Sequence, residues 1–301
     1  MTENARGIIA ILAASTAFVV GDAMVKLTTA ELPSGEIICL RGLIATAMLA
    51  IGVHVTGTMR PLSILMAPMM LVRLASAGAA TVFIVISVRH LPLAIVNTVL
   101  QVTPLAVTAG ASIVFRERVS FQRWAAALTG FTGVVLIVQP AAGTFGAAAG
   151  FVLLALLFTT IRDLSTRGLD RTIPSIFVAA ASAAVIALSG LAVAPFEDPW
   201  IWPSNRAWSL LTAAAACLFV ATTTMVVALR TGEVSVVAPF RYAPVPLSIL
   251  LGWWLWGDLP NTVAFLGIGL VLIAGLYMLH RERQSLTRPA VTRPAERSPA
   301  E

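Results

Sequence analysis

Ten apolar segments, each long enough to cross a lipid bilayer, follow one another along almost the whole chain of 301 residues. About 20 consecutive apolar residues suffice for a helical crossing, and the connections between the segments are too short to form a soluble domain. Hydrophobic residues make up 58% of the chain and charged residues only 11%, which favours an all-α integral membrane protein with ten transmembrane helices. The predicted spans are Gly7–Thr28, Glu36–Val55, Met69–Val88, Ala94–Phe115, Phe121–Val138, Gly150–Ser165, Ile173–Val193, Trp208–Leu229, Val234–Trp256 and Val263–His280.

The net charge of +6 would be compatible with nucleic-acid binding, but the basic residues lie mostly in short connections between the spans. Cytoplasmic connections of membrane proteins carry an excess of Arg and Lys, so we interpret these cations as topology determinants and expect no nucleic-acid partner. Both termini of this multi-pass protein are then predicted to be cytoplasmic, and the tail 281–301 is predicted to be disordered. The predicted inner connections hold Arg60, Arg116, Arg118, Arg123, Arg167 and Arg171, whereas the outer ones hold only Arg89 and Arg206.

Catalytic signatures are missing from the sequence. The motifs HExxH, GxSxG and CxxC do not occur, nor does a phosphate-binding loop. The three histidines, His54, His90 and His280, stand singly near span ends, and Cys39 and Cys217 lie within apolar spans. Metal and nucleophile sites require clustered ligands or triads, so the sequence predicts no metal, no cofactor and no enzyme.

An internal repeat relates the two halves of the chain. Pro104 precedes Glu117 by 13 residues, while Pro244 and Pro246 precede Asp258 by 14 and 12 residues. A glycine-containing span follows each acid. The repeat places Glu117 and Asp258 on opposite membrane faces, where each is expected to cap the start of the following helix, whose positive end favours an anion.

The two halves contain five predicted spans each, over residues 7–139 and 146–280. Because five is an odd number, the second copy must cross the membrane in the opposite orientation to the first. The chain is therefore predicted to fold as two inverted five-helix repeats, an arrangement that places a binding site near the midplane, between the copies.

The sequence resembles the drug/metabolite transporter superfamily, and specifically proteins with two EamA-type repeats. The resemblance rests on the segments Arg89–Trp124 and Ala228–Pro260 and on the closing Gly275–Arg283. It implies a secondary transporter that moves a small organic metabolite by alternating access: an amino-acid-like, vitamin or nucleotide-cofactor-like solute. The RDLSTRGLD connection and the APFRY motif resemble those of a subgroup of bacterial metabolite carriers, which implies a location in the bacterial inner membrane. Riboflavin and S-adenosylmethionine importers resemble that subgroup. The family usually has Glu at the second acidic turn, where this chain has Asp258.

Several alternatives remain open at this point. The other function classes are an integral-membrane enzyme that modifies lipid and a non-transporting membrane subunit. Transport coupled to a proton and transport coupled to a counter-solute are equally compatible with the residues. The sequence does not decide between a monomer and a homodimer.

The ninth span carries a cation among prolines. Arg241 and Tyr242 lie between Pro239 and Pro244, with Pro246 two residues further on. A cation in hydrocarbon costs at least about 3 kcal/mol on insertion scales. A helix broken by prolines is tolerated only where protein or a water-filled cavity satisfies the freed carbonyls. We predict that Arg241 faces a polar cavity and binds substrate with Tyr242; the alternative is that Arg241 reaches the lipid headgroups.

Two further spans place ions inside the apolar region. Lys26, the sole lysine, lies four residues after Asp22 on the same helical face, so the two are expected to pair. The pair is predicted to bind a substrate carboxylate or couple a proton; the alternative is a structural ion pair. Arg41, six residues into the second span, is expected to pair structurally with Glu36 or with an acid across the bundle.

The fourth span is the repeat counterpart of the Arg241 region. Its polar residues Asn97, Thr98 and Gln101 share one helical face, and Asn97 and Gln101 are predicted to contact substrate. Ordinary interhelical hydrogen bonds are the alternative. Arg162 and Asp163, at the end of the sixth span, are predicted to form a gate or a topology pair.

Overall fold

A computed structural model describes residues 3–114, 121–139, 146–170, 172–231 and 238–287. These residues contain helices and no strands, which confirms the all-α prediction. The α-helices are α1 Glu3–Thr28, α2 Ser34–Val55, α3 Pro68–His90, α4 Leu93–Leu100, α5 Thr103–Val114, α6 Phe121–Val138, α7 Gly146–Arg167, α8 Ser175–Val193, α9 Asn205–Thr231, α10 Pro244–Trp256 and α11 Thr262–Thr287. Short 3-10 helices cover Leu62–Met66, Ala194–Phe196 and Ala238–Tyr242.

Length and hydropathy agree with a membrane-spanning bundle. Within the described ranges, seven helical stretches are long and apolar enough to cross a bilayer, and Trp124–Val138 and Thr262–Met278 are shorter apolar helices. The helices α4 and α5 together form one span, Leu93–Val114. With α10 as the ninth crossing, the ten predicted spans each have a helical counterpart, and the protein is a multi-pass membrane protein.

The packing of the helices follows the internal repeat. The first span, α1, packs on the eighth, α9, and the third, α3, packs on the sixth, α7. In the repeat, the first span corresponds to the sixth and the third span corresponds to the eighth. The two contacts are therefore equivalent. The contacts of α3 with α8 and of α2 with α9 are related in the same way, whereas those of α2 with α8, α4 with α10 and α6 with α11 each join a span to its own repeat counterpart. The prediction of two inverted five-helix repeats is therefore confirmed by which helices touch.

Glycines bring paired helices into backbone contact. A Cβ atom at Gly133 of α6 would lie 2.7 Å from the carbonyl oxygen of Gly267 in α11, and a Cβ at Gly267 would lie 2.6 Å from that of Gly133. On the other symmetric pair, a Cβ at Gly35 of α2 would lie 2.8 Å from the carbonyl oxygen of Gly190 in α8. Small residues permit such close approach where lipid offers no hydrophobic drive for helix association.

Prolines break the two equivalent spans. Pro104 has no amide to donate to the carbonyl of Leu100, and the Thr103 hydroxyl donates to that oxygen instead, at 2.6 Å. The helix consequently ends at Leu100 and restarts as α5. In the second half the 3-10 helix Ala238–Tyr242 precedes α10, whose first residue is Pro244. Both breaks fall where the sequence repeat predicts a binding site.

Candidate functional site

A cavity of about 330 Å³ lies between the two repeats. Its volume falls at the lower end of the range found for small-molecule sites, about 300–1,000 Å³. Residues at helical spacing point into it, as with Ser15, Phe18 and Asp22 of α1. Its polar lining is Ser15, Asp22, Arg41, Thr81, Asn97, Gln101, Thr103, Thr159, Arg162, Asp163 and Arg241, and its apolar walls include Phe18, Ile84, Leu218 and Met225.

The two helix breaks are joined at this cavity. The Gln101 side chain donates from Nε2 to the carbonyl oxygen of Arg241 at 2.5 Å. A backbone acceptor at one break is thus satisfied by a side chain at the other. The structure places Arg241, Gln101 and Asn97 together on the cavity wall, with Pro104 and Pro244 beside them.

Asn97 and Thr98 of the fourth span form hydrogen bonds with backbone carbonyls of their own helix. Asn97 donates from Nδ2 to the carbonyl of Leu93 at 3.2 Å, and Thr98 donates to the carbonyl of Ala94 at 2.7 Å. Thr98 is fully buried and is not a lining residue. Of the two, Asn97 alone lines the cavity, and its role in binding stays a prediction.

Asp22 and Arg41 are brought to the same cavity from different helices. The Arg41 side chain extends towards α1, where a Cβ at Gly21 would lie 3.9 Å from its terminal nitrogen. Asp22 and Arg41 interact electrostatically but make no direct ion pair. Of the two predicted partners of Arg41, Glu36 is wrong, because its carboxylate accepts from the amide of Ile201 at 3.2 Å. Asp22 is the acid that acts on Arg41 across the bundle, but the predicted ion pair does not form with it either.

The expected pairing of Lys26 with Asp22 is wrong. Lys26 Nζ lies 3.4 Å from Asp258 Oδ2 and donates to the carbonyl of Leu91 at 2.9 Å. The same ammonium lies 4.8 Å from the centre of the Trp256 ring. Lys26 stands in the last turn of α1, so its long side chain reaches the neighbouring loops and does not line the cavity.

The predicted capping role of Asp258 is also wrong. Asn261 caps α11, because its Oδ1 accepts from the amide of Ala264 at 2.8 Å. Asp258 instead pairs with Lys26, as described above. Glu117, the repeat counterpart of Asp258, lies outside the described residues.

Tyr242 does not line the cavity, contrary to its prediction as a substrate contact. The side chain is 8% exposed and packs against Gly275 of α11, where a Cβ would overlap the phenol ring. Tyr242 directly follows Arg241 in a 3-10 helix, where successive side chains point in different directions. Pro246 is an exposed residue of α10 and lies away from the lining as well.

Arg162 and Asp163 line the cavity at the end of α7 and bind each other, with Arg162 Nε 2.9 Å from Asp163 Oδ1. Next to them, Arg73 of α3 donates to Thr166 Oγ1 at 2.9 Å and to Ser182 Oγ at 2.5 Å. Sequence reasoning missed Arg73, although a cation five residues into an apolar span is the same signal that marked Arg241.

Two carboxylates form hydrogen bonds between loops at the end of the bundle where Lys26 lies. Glu197 accepts from the amides of Ser34 and Gly35, at 3.1 and 2.6 Å, at the start of α2. Glu31 accepts from the hydroxyl and the amide of Ser204, both at 2.9 Å. These hydrogen bonds hold the pKa of Glu31 below its usual value, the hydroxyl contributing most. The loops between α1 and α2 and between α8 and α9 are thus tied together.

Comparison with curated proteins returns bacterial solute transporters. The chain is 28% identical over 191 residues to a riboflavin transporter of Vibrio cholerae, covering 63% of each chain. It is 22% identical to an S-adenosylmethionine uptake transporter of Rickettsia prowazekii, over 61% of this chain and 62% of that one. These alignments therefore span less than two thirds of either relative. A pseudopaline exporter of Pseudomonas aeruginosa is 26% identical over 89% of this chain and 94% of its own.

The fold and the repeats have matches of wider extent. A solved crystal structure superposes with a TM-score of 0.64 over 93% of this chain and 98% of its own, at 22% identity, which supports the fold alone. Residues 5–139 and 145–280 each match the EamA-like transporter family, in agreement with the two repeats and with the predicted drug/metabolite transporter resemblance. The chain therefore belongs to the EamA-like transporter family.

Proposed function

We propose that the protein is a secondary transporter that moves a small organic metabolite across the bacterial inner membrane by alternating access. The observation that carries this proposal is the cavity between the repeats, where Arg241 and Gln101 meet at two helix breaks. Irregular backbone at membrane depth is stable where it lines a polar cavity, and inverted-repeat carriers bind their solutes between the halves.

The relatives support the solute class. The relatives are named as transporters of riboflavin, S-adenosylmethionine and pseudopaline, which are all organic metabolites, and they include both uptake and export proteins. We therefore assign transport of an organic metabolite to this chain and leave the direction to experiment.

Arg241 is the residue that we propose to hold an acidic group of the solute. It lines the cavity and makes no ion pair within the described part of the chain. Its guanidinium can hold a carboxylate or a phosphate by two parallel hydrogen bonds, which the ammonium of a lysine does not reproduce. A charge-assisted hydrogen bond contributes roughly 1.5–3 kcal/mol, so Arg241→Lys should weaken solute binding about tenfold or more.

The matched control for this substitution is Arg60→Lys in the loop after α2, an exposed position outside the cavity lining, where the side chain donates to the carbonyl of Thr172 at 3.5 Å. Binding is measured by the thermal shift of the purified protein with each candidate metabolite. If Arg241→Lys binds as tightly as the unaltered protein, the guanidinium does not hold the solute and this assignment is wrong.

Transport itself is tested in sealed proteoliposomes. Radiolabelled riboflavin, S-adenosylmethionine and pseudopaline are each offered to vesicles loaded with the same unlabelled compound. A carrier produces saturable uptake and counterflow, whereas a channel produces uptake that rises linearly with concentration. A protein that gives neither counterflow nor saturation with any metabolite that it binds is not the carrier proposed above.

A further inference from the structure

Asp22 and Arg41 are two opposite charges that line the cavity without pairing. Among the described residues neither side chain has a hydrogen-bond partner, and no ion pair joins them. The Nε atom of Arg41 is buried and unpartnered, and so is the hydroxyl of Thr159, which lines the cavity from α7. Buried polar groups in folded proteins are nearly always hydrogen-bonded, so these atoms require a partner.

The charges of the cavity do not all balance one another. Arg162 is matched by Asp163 at 2.9 Å, whereas Arg241 has no ionic partner in the part of the chain that the structure describes. Within the described residues, the lining therefore presents one carboxylate, Asp22, and two guanidiniums, Arg41 and Arg241, that stand in no direct ion pair. Unpaired charge at membrane depth is costly, and a solute of complementary charge removes that cost.

We propose that Asp22 and Arg41 form a two-point subsite for a zwitterionic solute. Asp22 accepts from the amine of the solute, and Arg41 donates to a carboxylate next to that amine. Arg241 then holds a second acid, so the complementary solute has one amine and two acidic groups, as in an amino dicarboxylic acid. This inference rests on the proposed transport function, because it assigns the solute of the same cavity.

The experiment compares four probes on the purified full-length protein: L-glutamate, N-acetyl-L-glutamate, L-glutamine and L-glutamate dimethyl ester. Dissociation constants are read from thermal shifts. L-Glutamate should bind most tightly, since each of the others lacks one or two of the three charges. Loss of a charge-assisted contact should weaken binding about tenfold.

Substitutions assign each charge to its partner. Asp22→Asn should weaken the binding of L-glutamate about tenfold. The same substitution should leave the binding of N-acetyl-L-glutamate almost unchanged, because that probe has no charged amine to contact Asp22. Arg41→Gln should weaken both probes, and Arg41→Lys should recover part of the binding. The controls Asp170→Asn and Arg60→Gln remove the same groups from exposed loop positions and should change neither probe.

Two results would overturn the inference. If N-acetyl-L-glutamate binds the unaltered protein as tightly as L-glutamate, the amine has no partner in the cavity. If none of the four probes binds, the cavity does not select this class of solute. In either case, counterflow of another metabolite in proteoliposomes would leave the transport function standing. Melting temperatures without probe identify any variant that fails to fold, and Arg41→Lys then replaces Arg41→Gln.

Discussion

Lys26 Nζ lies 3.4 Å from Asp258 Oδ2, so the sole lysine of the chain joins the end of α1 to the loop that precedes α11. The pair connects the first repeat to the second at the end of the bundle where Glu31 and Glu197 also tie loops together. We predict that the contact between Lys26 and Asp258 is a structural tie between the two repeats.

A double-mutant cycle should show that Lys26 and Asp258 are coupled in their contribution to the free energy of unfolding. Lys26→Gln and Asp258→Asn should each lower the free energy of unfolding, and the double variant should cost less than their sum. The Asp258 side chain is 37% exposed, so the coupling should be about 1 kcal/mol or less. Lys26→Arg keeps the charge and should retain near-normal flux. If the losses of unfolding free energy in the two single variants simply add in the double variant, the two residues do not stabilise each other. If Lys26→Arg loses flux, transport instead requires an amine that can release its proton.

The crossing of α6 and α11 should be intolerant of side chains. Gly133→Ala brings a methyl group within 2.7 Å of the Gly267 carbonyl oxygen, so the helices must separate. Overpacking of this kind costs about 1–3 kcal/mol. Gly269→Ala on the same α11 helix is the control, because a Cβ there meets no atom within 4 Å. Denaturation in detergent should show the loss for Gly133→Ala alone, and an equal loss in Gly269→Ala would exclude this packing explanation.

The Glu31–Ser204 contact should make stability depend on pH in acid. The folded-state pKa of Glu31 lies below its usual value of 4.5, so the carboxylate stabilises the fold above that pH and ceases to do so as the pH falls through the lowered pKa. Glu31→Gln should therefore melt below the unaltered protein at neutral pH, and the gap should narrow below pH 4.5. Ser204→Ala removes only the hydroxyl donor and should produce a smaller gap. A gap that does not change with pH would refute the assignment.

The membrane orientation is tested by cysteine labelling after replacement of Cys39 and Cys217. The arginine distribution predicts that Trp202, 87% exposed, faces the outside and that Met59, 66% exposed, faces the cytoplasm. A membrane-impermeant maleimide should label Trp202→Cys in intact cells and Met59→Cys only after permeabilisation. The reverse pattern would invert the assigned orientation.

The sequence by itself determined the architecture. Ten apolar segments of bilayer length leave helices as the simplest solution, because backbone polar groups in lipid must be satisfied within each segment. Five spans per half require inverted copies. The prolines around Arg241 predicted the helix break in the ninth span, and the cation Arg241 marked the cavity beside it, whereas the break before Pro104 was not predicted.

Only the tertiary structure decided which charges meet. Helical spacing places Asp22 and Lys26 on one face, but Lys26 lies in the last turn of α1 and its side chain reaches Asp258, which is 232 residues away in sequence. Tyr242 follows Arg241 directly, yet packs on Gly275 because that glycine leaves room for a ring. Arg41 lines the cavity with Asp22 and makes no ion pair with Glu36, and this cavity exists only when eight spans are assembled. Periodicity specifies the face of a helix on which a side chain lies, whereas its partner depends on the helices that surround that face.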